Sequence, residues 1–127
     1  GRMIEEEIEF NKAVRAVLEW GGKHSNWRQT LLVVTGDYEC GYLTGPGSGI
    51  SEKGPKWNPL VGRGVGQVPD LEWHSKKHTN SLIPFYAQGR DAERFSRAAR
   101  NRDPIRGRYI DNAEVGKILH IVLTSRW

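Results

Sequence analysis

The stretch QTLLVVTGDYECGYLTGPGSG, Gln29 to Gly49, carries an acid to the end of an apolar run. Leu31 to Val34 lead through Thr35 and Gly36 to Asp37. In open α/β sheets, ligands collect beyond the carboxyl ends of the strands. An aspartate there, with Gly36 allowing a sharp turn, is placed to meet a cation. Partial desolvation at that end demands a cation or hydrogen-bond donors to keep the carboxylate charged. Aspartate also starts turns without any ligand, and that role competes. A second stretch, WHSKKHTNSLIPFYAQG from Trp73 to Gly89, brings His74 and His78. Their i, i+4 spacing suits two ligands on one helix. Lys76, Lys77, Thr79, Asn80 and Ser81 make no amphipathic helix, so a helical zinc pair is not expected. One imidazole from this loop and the Asp37 carboxylate can share a cation, since zinc takes both donors at ~2.0–2.2 Å.

Other reactive types have plainer readings. Glu39 reads as a solvated acid at a strand end, with an outer role at the site as the alternative. Cys40 reads as a small filler rather than a nucleophile. GPGSG (45–49) and GRGVG (62–66) are glycine-rich, but neither is followed by the Lys-Ser/Thr of a phosphate-binding loop nor fits G-x-G-x-x-G. Trp57 and Trp73 read as packing under a long loop, and His120 as a surface residue.

The elements that must hold these groups are visible as patterns. Met3 to Trp20 reads as a helix, with Ile4, Ile8, Phe10, Val14, Val17 and Leu18 on one broad arc. Glu5, Glu6 and Glu7 sit in its first turn, where the helix dipole favours negative charge. Gly21-Gly22 is expected to end it. Thr30 to Thr35 reads as a buried strand, short and without alternation. Residues 41–75 hold eight of the 15 glycines and four of the six prolines, which makes them a long loop region with room for short strands. Ile83 to Ala87 reads as a second strand closing at Gly89, and Ala92 to Arg100 as a short helix. Asp111 caps a last helix, with Glu114 completing a capping-box variant. Val115, Ile118, Leu119 and Val122 form its core stripe. The order is α/β material.

At 127 residues the chain suffices for one small domain. No apolar run approaches the ~20 residues of a membrane span, and no signal peptide is visible. Gly1 and the immediate entry into a helix suggest a start other than a natural N-terminus. Cys40 is the single cysteine, which excludes an intrachain disulfide and a cysteine zinc cluster. The net charge of +4 is local: Arg90 to Arg108 contains seven arginines against Asp91, Glu93 and Asp103. A solvated face is the plain reading of that stretch, and an anion or nucleic-acid patch is the sharper one. Phe95 and Tyr109 are too sparse to interleave with the arginines as a stacking platform, which argues against nucleic acid.

Two ordered motifs resemble the alkaline phosphatase family. TLLVVTGDYECGYLTG is similar to that family's T-L-x-V-V-T strand followed by (A/G)-D-H-E and a glycine. HTNSLIPFYAQGRDAERF is similar to its H-T-x-x-x-(I/V)-P-x-x-A-x-G-x-x-A-x-x-F. MIEEEIEFNKAVRAVLEW resembles the helix before the first motif, and DNAEVGKIL the closing helix. The likeness runs in order over nearly the whole chain, apart from residues 45–75, where the family varies.

The resemblance implies a phosphate monoester hydrolase that works through a phosphoserine, with two zinc ions and a magnesium. It implies that Asp37 binds the zinc that activates the serine and that His78 binds the other. Tyr38 stands where the family has a histidine ligand, and a neutral phenol is a poor zinc ligand. The serine, the arginine clamp and the first metal ligands lie upstream in the family, so this chain resembles a C-terminal portion, inactive alone and without tightly held metal. The expected organisation is one segment: helix and metal-ligand strand in residues 1–40, variable loop in 41–75, and the His-Thr motif, strand and closing helices in 76–127. The expected fold is the C-terminal part of an alkaline phosphatase-like sheet flanked by helices. The resemblance further implies a phosphate monoester as substrate, a periplasmic or secreted setting, and room for a homodimer. Phosphodiesterases and sulfatases of the same metal-hydrolase superfamily share these elements. A non-catalytic anion- or nucleic-acid-binding module built on Arg90 to Arg108 is the alternative from another class.

Overall fold

The computed structural model describes residues 2–125, apart from the side chains of Ile50, Ser51 and Pro55. Its described residues form helices and small antiparallel sheets, a mixed α/β content. They divide into two compact units, residues 36–83 with the start of the first helix, and residues 12–35 with 84 onward.

The second unit carries the longer strands. Helix α1, Arg2–His24, enters it and runs past the expected stop. Gly21 lies inside the helix, and a Cβ there would come within 2.9 Å of the Trp27 ring. That glycine serves close approach, not termination. On the expected apolar arc, Ile4, Val14 and Leu18 are half-buried, while Ile8, Phe10 and Val17 stay exposed. Strand β1, Leu31–Thr35, follows. It pairs antiparallel with β8, Phe85–Gly89, from Leu31 opposite Gly89 to Thr35 opposite Phe85. β8 begins after Pro84, later than the sequence pattern suggests; proline lacks the N–H a ladder uses. The Pro84 carbonyl instead accepts the Thr35 hydroxyl at 3.0 Å. β1 is half-buried rather than buried.

Helix α2, Glu93–Ala98, is shorter than expected and lacks a side-chain cap at Ala92. Phe95 anchors it, 4% exposed, with its ring centroid 5.0 Å from that of Phe85. The chain then makes a hairpin that the sequence pattern did not announce, β9 (Asn101–Asp103) with β10 (Gly107–Tyr109). The Asp103 carboxylate closes its turn by accepting the amides of Ile105 at 2.8 Å and Arg106 at 2.7 Å. Helix α3, Asn112–Thr124, starts where Asp111 accepts the Ala113 amide at 2.8 Å. Glu114 pairs with Lys117. Ile118, 6% exposed, is the buried centre of the expected stripe.

The first unit is built from two-residue ladders. β2 (Glu39–Cys40) pairs with β7 (His78–Thr79), and β3 (Leu43–Thr44) with β6 (Glu72–Trp73). β4 (Gly49–Ser51) and β5 (Gly54–Lys56) form a hairpin. The expected loop of residues 41–75 thus holds short strands.

Candidate metal-ligand site at Asp37 and His78

Thr35 and Phe85 face each other at one end of the β1/β8 pair. The chain therefore leaves β1 and re-enters β8 at the same end. This arrangement corrects the premise drawn from parallel sheets. In an antiparallel pair the carboxyl end of one strand lies beside the amino end of the other. Asp37 thus follows β1 in the chain and His78 precedes β8.

Gly36 has no positive φ, and a Cβ there would make ordinary contacts of 3.7 Å with Ile83 and 3.8 Å with the Tyr38 carbonyl. The turn does not require glycine. Asp37 is exposed rather than desolvated, because the chain runs on into the short ladders. Its Oδ1 accepts the Tyr38 amide at 2.9 Å, a turn-forming bond within its own segment.

His78 sits directly opposite Cys40 in the β2/β7 ladder. The Cys40 Sγ lies 3.3 Å from His78 Nδ1. The Tyr38 ring lies against the imidazole, centroids 3.9 Å apart at 46°. Tyr38 lies in the bend just before β2, and Cys40 ends that strand. His78 is flanked by both. Beside it, the Thr79 hydroxyl donates to the Glu39 carboxylate and accepts the Ser81 amide at 3.3 Å. Glu39 thus has a cross-strand partner beyond the solvated role read from the sequence. Among the described residues, no hydrogen bond joins Asp37 to His78, and no three or more His, Cys, Asp and Glu side chains form a metal-holding group.

His74 belongs to the next ladder. Its Nε2 lies 2.7 Å from the hydroxyl of Thr44, which is 1% exposed, and its ring meets Tyr42 edge-on at 5.6 Å. The i, i+4 spacing of His74 and His78 therefore serves two separate ladders and no common helix. Gly41 joins them. Its amide donates to the Lys77 carbonyl at 3.1 Å, and its carbonyl accepts the amides of His74 and Ser75, each at 3.0 Å. Gly41 and Tyr42 both have positive φ, which turns the chain from one ladder to the next. Trp73 covers Gly41 and remains half-exposed, so it is only partly the packing residue expected.

The glycine-rich loops are closed by their own bonds. Ser48 Oγ donates to the Gly45 carbonyl at 2.8 Å and accepts the Asn58 amide at 2.9 Å. Arg63 pairs with Asp70 at 2.6 Å. In the Arg-rich stretch, Asp91 accepts from Arg94 Nε at 2.6 Å and Arg90 Nε at 3.3 Å. The hydrogen bond from Arg94 is the main reason the Asp91 carboxyl is held below the ordinary carboxylate range. Arg97 pairs with Glu93 at 3.9 Å, and Arg108 Nε donates to the Ala99 carbonyl at 2.8 Å. Arg90, Arg94, Arg97 and Arg108 are thus tied to the protein's own groups.

Cys40 is the neighbour that sequence reasoning missed. Its place opposite His78 comes from strand register. Comparison with family models, curated proteins and solved structures gives no match.

Proposed function

We propose that this chain is the C-terminal part of an alkaline phosphatase-like, metal-dependent phosphomonoesterase. The observation that carries the reading is the pair of ordered motifs, Thr30 to Gly45 and His78 to Phe95, in strand segments that pair with each other. A scissile phosphate ester needs positive charge on its oxygens, and metals held by carboxylate and imidazole supply it. Asp37 and His78 are the chain's contribution, one ligand to each of two zinc ions. A phosphate monoester is the substrate class, and magnesium completes the metal set of the whole enzyme. The engagement of Arg90, Arg94, Arg97 and Arg108 with internal partners favours this over a free anion-binding face.

The donors fit those metals only in part. Zinc sites take three or four protein ligands. Asp37 and His78 give one each, and the Tyr38 phenol does not replace a histidine. The nucleophilic serine, the arginine clamp and the remaining ligands belong to upstream sequence of the whole enzyme. The isolated 127 residues therefore hydrolyse no aryl phosphate above background, with or without zinc. Turnover that survives removal of host phosphatase and is lost in Asp37→Ala contradicts the reading. Calorimetry with zinc near neutral pH should give binding weaker than about micromolar, ~8 kcal/mol. Stoichiometric tighter binding, abolished in both Asp37→Ala and His78→Ala, shows a complete centre in this chain and overturns the fragment assignment.

A further inference from the structure

We propose that Cys40 and His78 form a two-donor chelate for a borderline or soft divalent cation, zinc foremost. The inference rests on the phosphatase reading for His78 as a metal ligand, and it adds a sulfur donor which that reading does not contain.

Zinc bonds thiolate sulfur at ~2.3 Å and imidazole nitrogen at ~2.0–2.1 Å. A tetrahedral angle between them sets the sulfur and nitrogen ~3.5 Å apart. In the protein the Cys40 Sγ and His78 Nδ1 are 3.3 Å apart, a separation that one cation spans at an angle of about 100°. The two residues are directly paired across the β2/β7 ladder, so backbone hydrogen bonding fixes their spacing. Tyr38 lies against the imidazole and restricts its rotation. Both Cys40 and His78 are exposed, so a cation reaches them without rearrangement and keeps solvent at its remaining positions.

The donor pair sets the selectivity. Thiolate and imidazole suit zinc and cobalt, and they disfavour magnesium and calcium, which take oxygen ligands. On binding, the sulfur–metal bond replaces the sulfur–hydrogen bond, and the proton passes to buffer. Two protein donors hold the ion more weakly than the four of a structural zinc site, so the affinity stays weaker than micromolar.

The test is titration of the whole 127-residue chain with cobalt(II) under reducing, oxygen-free conditions. The readout is near-ultraviolet absorption from sulfur-to-cobalt charge transfer. The band should rise to one cobalt per chain and be displaced by zinc but not by magnesium. Cys40→Ser should remove it. His78→Ala should weaken binding at least ~tenfold, about 1.4 kcal/mol. His120→Ala, an exposed imidazole on α3, should leave it unchanged. Cys40→His, which keeps a donor, should still bind cobalt with a visible ligand-field spectrum but no sulfur band. Circular dichroism and the β2/β7 amide resonances check that each variant is folded. Cobalt binding without the sulfur band, a band indifferent to His78→Ala, or one cobalt per two chains overturns the proposal. Loss of hydrolysis in the whole enzyme is a separate readout, so failure of the chelate and failure of the phosphatase reading are distinguishable.

Discussion

Gly89 closes β8 against the entry to β1, and Gly89→Ala measures how tightly that junction is built. Its φ is +100°, and an added Cβ would lie 2.1 Å from the Thr30 carbonyl oxygen and 3.2 Å from its carbon. That oxygen is backbone and accepts the Arg90 amide at 2.8 Å, so it cannot swing aside as a side-chain tip would. Left-handed strain on a residue with a Cβ costs ~1–2 kcal/mol. Forcing extra volume into a packed contact costs ~1–3 kcal/mol more. The two together give about 2–5 kcal/mol, a large share of the ~5–15 kcal/mol that holds a domain folded. Gly116 supplies the opposite sign. It lies within α3, no atom comes within 4 Å of a Cβ built on it, and its φ is not positive. Gly116→Ala should therefore stabilise by ~1 kcal/mol through helix propensity. Urea unfolding followed by circular dichroism is the assay, with exchange of the Leu32 and Val34 amides as the local readout. Gly89→Ala should lower the midpoint at unchanged slope and speed exchange in β1, while Gly116→Ala raises the midpoint. A Gly89→Ala chain as stable as the original refutes the reasoning.

Asp111→Ala, which removes the bond to the Ala113 amide, should cost ~1 kcal/mol in thermal or urea unfolding, with Asp111→Ser recovering most of it. Because Arg94 first and then Arg90 lower the folded Asp91 pKa, the unfolded chain binds that proton more readily. Asp91 thus contributes stability that is present above its ordinary value of 3.8 and is lost as pH falls through the lowered folded value. Asp103 adds the same sign through the amides of Arg106 and Ile105. Melting temperature against pH should show a shallower acid limb in Asp91→Asn, and unchanged limbs contradict the linkage.

The helices were legible because their signals are local. Asp111 and the Val115–Val122 stripe fix the start and inner face of α3 within one short window, while Glu114 pairs with Lys117 instead of completing the expected capping box. The antiparallel pairing of β1 and β8 was not legible. An all-apolar strand such as Leu31–Val34 lacks the alternation that marks a sheet exposed on one face, so it reads as buried and says nothing of its partner's direction. Gly21-Gly22 misled for a related reason: the residue that needs the space, Trp27, lies beyond the helix. The β9/β10 hairpin hid behind the arginine count, although Asp103, Pro104 and Gly107 carry turn chemistry. Asp37 and His78 were singled out by type and motif. The neighbours of His78 depend on register, which sequence spacing does not give; Cys40 therefore read as filler.

The central claim is that Asp37 and His78 serve one metal-dependent phosphatase site. Its most direct test uses the longer enzyme that the proposal calls for, purified without chelators. Zinc content by mass spectrometry and aryl phosphate hydrolysis are measured in the native protein, Asp37→Ala and His78→Ala. Each substitution should lower the zinc content and cut kcat/KM at least ~100-fold, the order seen when a group that stabilises charge in the transition state is removed. Hydrolysis and zinc content unchanged in both variants would contradict the claim.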